Sequence, residues 1–235
     1  MIRSEDQITT SQAIVVFVSY IMAAGILSLP RTAVEEAGTP DVWISVLLGG
    51  LITTAAGVVM TKLSQDYPCQ TFFQYGEDIV GKWLNIVISL LFIDHFIAIA
   101  AFEARIMAEV ITFFLLQQTP IWAIVMSMMW VGFYSIKDGM GSLARLFEII
   151  FPVTILFFLT VVFMSFGIFE LDNLRPVLGK GIMPAIKGTK ATTLSFISAE
   201  VMVFLLAFMK KPKNGVKVAV MGVLSLIHIS EPTRQ

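Results

Sequence analysis

Gly25-Ile26-Leu27-Ser28-Leu29-Pro30 closes the first long apolar stretch of the chain, which runs from about Ala13 to Leu29. A run that long predicts a membrane span, because about 20 apolar residues cross the hydrocarbon core of a bilayer. Gly25 carries no Cβ and admits unusual backbone angles. Pro30 donates no backbone hydrogen bond and disfavours helix at Leu29. The two together mark a place where a helix can unwind. Unwound backbone at membrane depth is tolerated only where it lines a cavity or is buried in protein. In secondary transporters such broken helices hold substrate and coupling ions. A plainer reading has Gly25 allowing close helix packing and Pro30 ending the span; the stretch alone does not separate the two.

Working outward, hydrophobic residues make up 57% of the 235 residues and charged ones 14%, with a mean hydropathy of +0.84. Soluble domains carry about 25% charge. The deficit, with several apolar runs of span length, predicts an all-α polytopic membrane protein. The net charge of −1 selects no partner. No basic cluster interleaves with aromatic residues, which argues against nucleic acid. Cys69 is the only cysteine, so neither an internal disulfide nor a cysteine-based metal site is expected. There is no Gly-rich phosphate loop, metal-spaced His or Cys cluster, or nucleophile elbow. The expectation is therefore no enzyme, no cofactor and no metal. Met1 to Thr10 is polar and the first apolar run lacks a small-residue cleavage site, so that run is read as a retained span.

Six spans are expected, at about 12–30, 42–61, 83–116, 120–136, 143–166 and 191–209, with a seventh apolar run starting near Val216. The second is rich in small residues (Gly49, Gly50, Ala55, Ala56, Gly57), which let helices approach closely in lipid. Lys62–Lys82 is polar and turn-rich, with room for a short interfacial helix. Gly139 and Gly141 read as a turn, Pro152 as a kink, and 167–190 as a loop. An N-terminus inside the cell places nine Lys and Arg on the cytoplasmic side (Arg3, Lys62, Lys82, Lys137, Arg145, Lys210, Lys211, Lys213, Lys217). It leaves five outside (Arg31, Arg175, Lys180, Lys187, Lys190), the bias expected of cytoplasmic loops.

The tail, Leu224-Ser-Leu-Ile-His-Ile-Ser-Glu-Pro-Thr-Arg-Gln235, breaks off the seventh run and resembles the translation of a transposon-end sequencing adapter. It is read as a non-native tail, 224–235, after a transporter-like membrane domain, 1–223, whose natural frame runs on. On that reading His228, Glu231 and Arg234 carry no functional information. A native polar C-terminus would leave a span of roughly eight apolar residues before Pro232, too few to cross.

Charges inside spans cost at least roughly 2.5–3.5 kcal/mol each and normally face protein or water. In the third span, at about 100° per residue, Asp94, Arg105 and Glu109 share one stripe. Arg105 and Glu109 are placed to pair. Glu103 falls on nearly the opposite face from Asp94, with no partner in sequence. It is a candidate for a polar or proton-coupling path, or lies simply near the outer interface. His95 beside Asp94 reads as a packed polar pair rather than a metal ligand. In the sixth span Ser195, Ser198, Ala199 and Glu200 form a small, polar patch. Glu200 suits a cation, a substrate amine or a proton, or an acid satisfied by a neighbouring helix without a transport role.

Ile8-Thr-Thr-Ser-Gln12 leading into Gly25-Ile-Leu-Ser-Leu-Pro30, then Glu35-Glu36-Ala37-Gly38 and Trp43, resembles the spore germination permeases. These are the B subunits of nutrient germinant receptors, in the amino acid–polyamine–organocation transporter superfamily. Phe72-Phe73-Gln74-Tyr75-Gly76 and Gly81-Lys82 fit the germination branch. The resemblance covers about residues 5–223. It implies two five-helix inverted repeats with helices 1 and 6 broken at the substrate site, here Gly25–Ser28 and Ser198–Glu200. Only the first repeat and the start of the second are present. It further implies a larger membrane subunit, a lipoprotein subunit and the spore inner membrane. The resulting expectation is a small nutrient, such as an amino acid, bound by Gly25, Ile26, Leu27, Ser28, Ser198, Ala199 and Glu200. The alternative is a proton-coupled amino acid transporter of the plasma membrane, coupled through Glu103 or Glu200; a third possibility is a scaffold that binds nothing.

Overall fold

The computed structural model describes residues 4–67, 70–165, 179, 181–195 and 200–230. Within those ranges, the side chains at 4, 23–33, 37, 165, 191–195 and 226–230 lie outside the description. The described residues form helices α1 (Thr10–Ala37), α2 (Val42–Gln65), α3 (Phe72–Val80), α4 (Lys82–Phe114), α5 (Ile121–Lys137), α6 (Met140–Ser165), α7 (Met183–Ser195), α8 (Val201–Phe208) and α9 (Gly215–Ser230). The chain is all-α, as its composition predicts. The helices Val42–Gln65, Lys82–Phe114 and Met140–Met164 are long and apolar enough to cross a membrane.

Helix ends follow local chemistry. Thr9 opens α1 with a reciprocal cap: its hydroxyl accepts from the Gln12 amide at 3.2 Å, and the Gln12 side-chain oxygen accepts from the Thr9 amide at 2.9 Å. Gly38, at φ 58°, closes the helix in the left-handed conformation that glycine adopts without strain. Helix α1 runs without interruption from Thr10 to Ala37, so the backbone does not unwind at Gly25–Ser28 as expected and the helix passes Pro30, where the first span was expected to stop. The sixth span also departs from expectation. Helix begins at Met183, inside the predicted loop 167–190. Pro184 fits there because the first-turn amides of a helix have no intrahelical partner to lose. Helix is described to Ser195, and α8 begins at Val201.

Helices α1, α2, α7, α8 and α9 pack together, and α6 lies against α1. Their shared core holds Ala13, Val16, Phe17, Val18, Ile21 and Met22 of α1, Met202, Leu205 and Leu206 of α8, and Val218, Ala219 and Val223 of α9. The buried face of α2 reads Val42, Ser45, Val46, Gly49, Gly50, Thr53, Gly57, Thr61, Ser64. These mostly small residues recur at helical spacing and bring backbones close without a need for bulky packing. Helix α4 packs on α3 and α5, and α5 on α6. Large apolar side chains on their outer faces, including Leu91, Ile97, Trp122, Trp130, Phe157 and Phe163, are exposed, as suits contact with lipid.

The polar stretch after α2 contains α3, which docks on α4. The Asn85 amide donates to the Phe73 carbonyl at 2.8 Å. A Cβ at Gly76 would collide with the Asn85 side-chain oxygen, so any larger residue would have to displace that side chain from its bond to Phe73. Tyr75 is buried, with its hydroxyl 2.9 Å from the Ser64 hydroxyl. Burial pushes the Tyr75 phenol up, outweighing the lowering effect of that hydrogen bond. The neutral phenol therefore contributes stability throughout the range below its ordinary pKa, and loses it only as strongly alkaline pH carries the folded protein through the raised value.

One end of the bundle gathers the start of α1, the ends of α2 and α8, and the starts of α6 and α9. Gln65 donates to the Pro212 carbonyl at 2.8 Å and Asn214 donates to the Thr10 hydroxyl at 3.1 Å. At the other end the Ser45 hydroxyl donates to the Ala185 carbonyl at 2.7 Å, joining the starts of α2 and α7.

Candidate functional site

Residues 196–199 lie outside the described residues. Glu200, which follows them, is the residue before α8. It is only 8% exposed. A buried carboxylate is costly unless a partner compensates it. Here the partner comes from α4: His95 Nε2 lies 3.4 Å from Glu200 Oε1. The sequence pairs His95 with its neighbour Asp94, but helical geometry sends adjacent residues about 100° apart. His95 is half-buried against α8, whereas Asp94 is exposed.

Aromatic rings surround that contact. Phe204 of α8 has its ring centroid 5.6 Å from Phe92 and 5.2 Å from Phe96, the residues flanking His95 on α4. Phe72 of α3 closes the cluster at 5.3 Å from Phe204 and 4.9 Å from Phe92. These edge-to-face contacts fix α8 against α3 and α4 and keep the surroundings of Glu200 apolar on that side. The functional consequence of Phe72 was not legible in sequence, where it served only as part of a family pattern.

Glu103 lies eight residues beyond His95 on α4, about 80° round the helix from it, and is half-buried. Tyr20 of α1 stands within electrostatic reach of both Glu200 and Glu103. The Tyr20 hydroxyl is buried and makes no hydrogen bond among the described residues. A buried hydroxyl normally has a partner, so Tyr20 presents unused hydrogen-bonding capacity between two acids. The structure thus brings together His95, Glu200, Glu103 and Tyr20, of which Tyr20 was missed by sequence reasoning. A tyrosine midway through an apolar helix carries no pattern of its own.

Of the remaining expected site residues, Gly25, Ile26, Leu27 and Ser28 belong to α1, but their side chains lie outside the described residues. Ser198 and Ala199 lie outside them entirely. Arg105 and Glu109 pair as their spacing predicts, with Nε 2.6 Å from Oε1, on an exposed face. With α4 upright, Arg105 sits roughly 35 Å along the helix from Lys82, beyond the roughly 30 Å hydrocarbon core. The pair is therefore an exposed surface ion pair, and such pairs contribute about 0–1 kcal/mol. Replacing Arg105 with alanine is expected to leave the unfolding temperature in detergent within about 2 °C of the unaltered protein; a larger fall would place the pair inside a packed contact.

Comparison with known proteins places the chain in a family. A family model described as Spore germination protein, the spore permease family, matches residues 7–230. Spore germination protein YndE of Bacillus subtilis (strain 168) is 54% identical over 222 residues, covering 94% of this chain and 61% of that protein. Spore germination protein A2 of the same organism is 37% identical over 218 residues, covering 93% and 60% respectively. More distantly, its gamma-aminobutyric acid permease is 22% identical over 237 aligned positions, covering 94% of this chain and 50% of the permease. The chain thus spans 61% and 60% of the lengths of YndE and A2. No solved structure matches it. With the family model matching from Gln7 to Ser230 on a chain of apolar helices, the chain belongs to the spore germination protein family of membrane permeases.

Proposed function

We propose that the chain is the membrane subunit of a spore nutrient germinant receptor, and that it takes a small nutrient such as an amino acid into a transporter-like site. The observation that carries this reading is Glu200, a buried acid at the start of α8. Helix termini leave backbone groups unsatisfied, and an acid beside them provides for a substrate's ammonium group. Tyr20 adds an uncommitted hydroxyl. Gly25–Ser28 of α1 and Ser198–Ala199 complete the proposed site. Binding shifts the population between two conformations, which a larger membrane subunit and a lipoprotein subunit read as the signal to germinate. The location is the spore inner membrane with the N-terminus in the cytoplasm. In support, Lys62, Arg145, Lys210, Lys211, Lys213 and Lys217 belong to segments gathered at the same end of the bundle as the start of α1.

A second reading, a proton-coupled amino acid transporter, is favoured by the similarity to a gamma-aminobutyric acid permease and by Tyr20 between Glu103 and Glu200. Labelled amino acids offered to the full-length protein in proteoliposomes separate the two. A receptor subunit shows saturable binding with no accumulation, whereas a carrier accumulates label when an inward proton gradient is imposed. Gly25→Leu, which puts a large side chain where the proposed site needs room for the nutrient, is expected to abolish binding while membrane insertion stays normal. Undiminished binding by that variant removes Gly25–Ser28 from the site, and the absence of saturable binding for every amino acid overturns the nutrient reading.

A further inference from the structure

The segment ahead of α1 is tied down along its whole described length. Asp6 Oδ1 accepts from the amide of Met140, the first residue of α6, at 3.1 Å, where an anion is favoured by the unsatisfied amides of a helix start. Two glycines make room for this approach. A Cβ on Gly141 would lie 2.1 Å from the Glu5 carbonyl oxygen, and one on Gly139 would collide with the Asp6 carboxylate. Two residues on, Ile8 is fully buried and forms a parallel bridge with Met209 beyond α8. The Ile8 amide donates to the Phe208 carbonyl at 2.8 Å, and the Lys210 amide donates to the Ile8 carbonyl at 2.9 Å. Thr10 accepts from Asn214 in the turn before α9, and Gln12 donates to Glu148 of α6 at 3.0 Å.

We propose that residues Glu5–Thr9 act as a latch, seated in the Gly139–Gly141 cradle at one side and paired with Phe208–Lys210 at the other, that fastens α6 to the α8–α9 corner. The two sides belong to different parts of the fold. The α8–α9 corner packs with α1 and α2, while α6 joins that bundle to α5. Everything holding the strap is a hydrogen bond or one buried isoleucine, with no covalent or helical continuity to either side. Such a segment opens locally without unfolding the helices beneath it. Seated, it ties α6 to the corner at this end; released, it leaves α6 held by its packing on α1, where Ala144 belongs to the shared core. The Gly139-x-Gly141 spacing, which in sequence reads as a turn and no more, is the seat of the device.

The test uses the full-length protein in nanodiscs, where both faces are open to reagent, with native cysteines replaced by serine. Ile8→Cys is expected to react with a small hydrophilic maleimide at least tenfold more slowly than Gln7→Cys, whose position is exposed. Gly141→Ala, which drives a methyl into the Glu5 carbonyl, should raise the Ile8→Cys rate to within about threefold of Gln7→Cys. Gly132→Ala, where a Cβ meets nothing within 4 Å, should leave it unchanged. Asp6→Ala should act in the same direction as Gly141→Ala and serves if the latter folds poorly. Ala13→Cys, buried one turn into α1, should stay protected in every background. The latch is overturned if Ile8→Cys reacts as fast as Gln7→Cys in the otherwise unaltered protein. It is also overturned if neither Gly141→Ala nor Asp6→Ala exposes Ile8→Cys, or if Ala13→Cys becomes reactive along with it.

Discussion

Glu200→Gln in the full-length protein is expected to weaken binding of a labelled amino acid about tenfold to a hundredfold. Hydrogen bonds to a charged group contribute about 1.5–3 kcal/mol, and each 1.4 kcal/mol is tenfold in affinity. Glutamine keeps the size of the side chain and an oxygen able to accept from His95, 3.4 Å away. The variant therefore removes the negative charge while leaving the packing against Phe204 and α4 in place. Equilibrium binding in proteoliposomes, with thermal unfolding of the same sample, separates the two roles open to Glu200. Weakened binding at unchanged stability marks a carboxylate that meets the ligand. Unchanged binding would mean that Glu200 serves only to satisfy His95, and the proposed site would lose its acid.

The second large effect concerns the bundle itself. Gly222 of α9 faces Phe17 of α1, and a Cβ there would lie 2.3 Å from Phe17 Cδ1 and 2.7 Å from Cε1. Phe17 is fully buried, so its ring has nowhere to swing. Overpacking a tight core costs about 1–3 kcal/mol and sometimes more, and leucine at 222 brings three carbons beyond the Cβ. Gly222→Leu is expected to lower the unfolding temperature in detergent by at least about 5 °C and to broaden the size-exclusion peak. Gly132→Leu on α5, with open space at its Cβ, is the matched control and should show neither change. Equal behaviour of the two variants would mean that α1 and α9 are not in close contact in the membrane.

The fold was legible where apolar runs are long. The helices α2, α4, α5 and α6 lie where the hydropathy places them, because burial in lipid demands length and apolarity and little else. The start of α7 was not, because Pro184, Lys187, Gly188 and Lys190 carry loop composition, and proline in a first helical turn looks no different from proline in a loop. Pairing across the fold was out of reach for another reason. His95 and Glu200 are 105 residues apart, and no periodicity within one helix can report a contact made by two. The strap at Glu5–Thr9 did leave a trace: Thr9-x-x-Gln12 is a helix-start signature, and Ile8 before it is the one apolar residue between Arg3 and Ala13. A buried role for that isoleucine was open to inference and was passed over because its neighbours are polar.

The length of α4 bears on how the protein sits in its surroundings. Its 33 residues extend about 50 Å. Tilt alone would need an angle of roughly 50° to fit them within about 30 Å of hydrocarbon, more than the roughly 40° that membrane helices reach. Part of α4 therefore rises out of the acyl layer, and how much depends on how thick that layer is. A shift in lipid chain length changes the tilt that α4 must adopt. Because Phe72, Phe92, Phe96 and Phe204 tie α3 and α8 to that helix, bilayer thickness acts on the surroundings of Glu200 through α4.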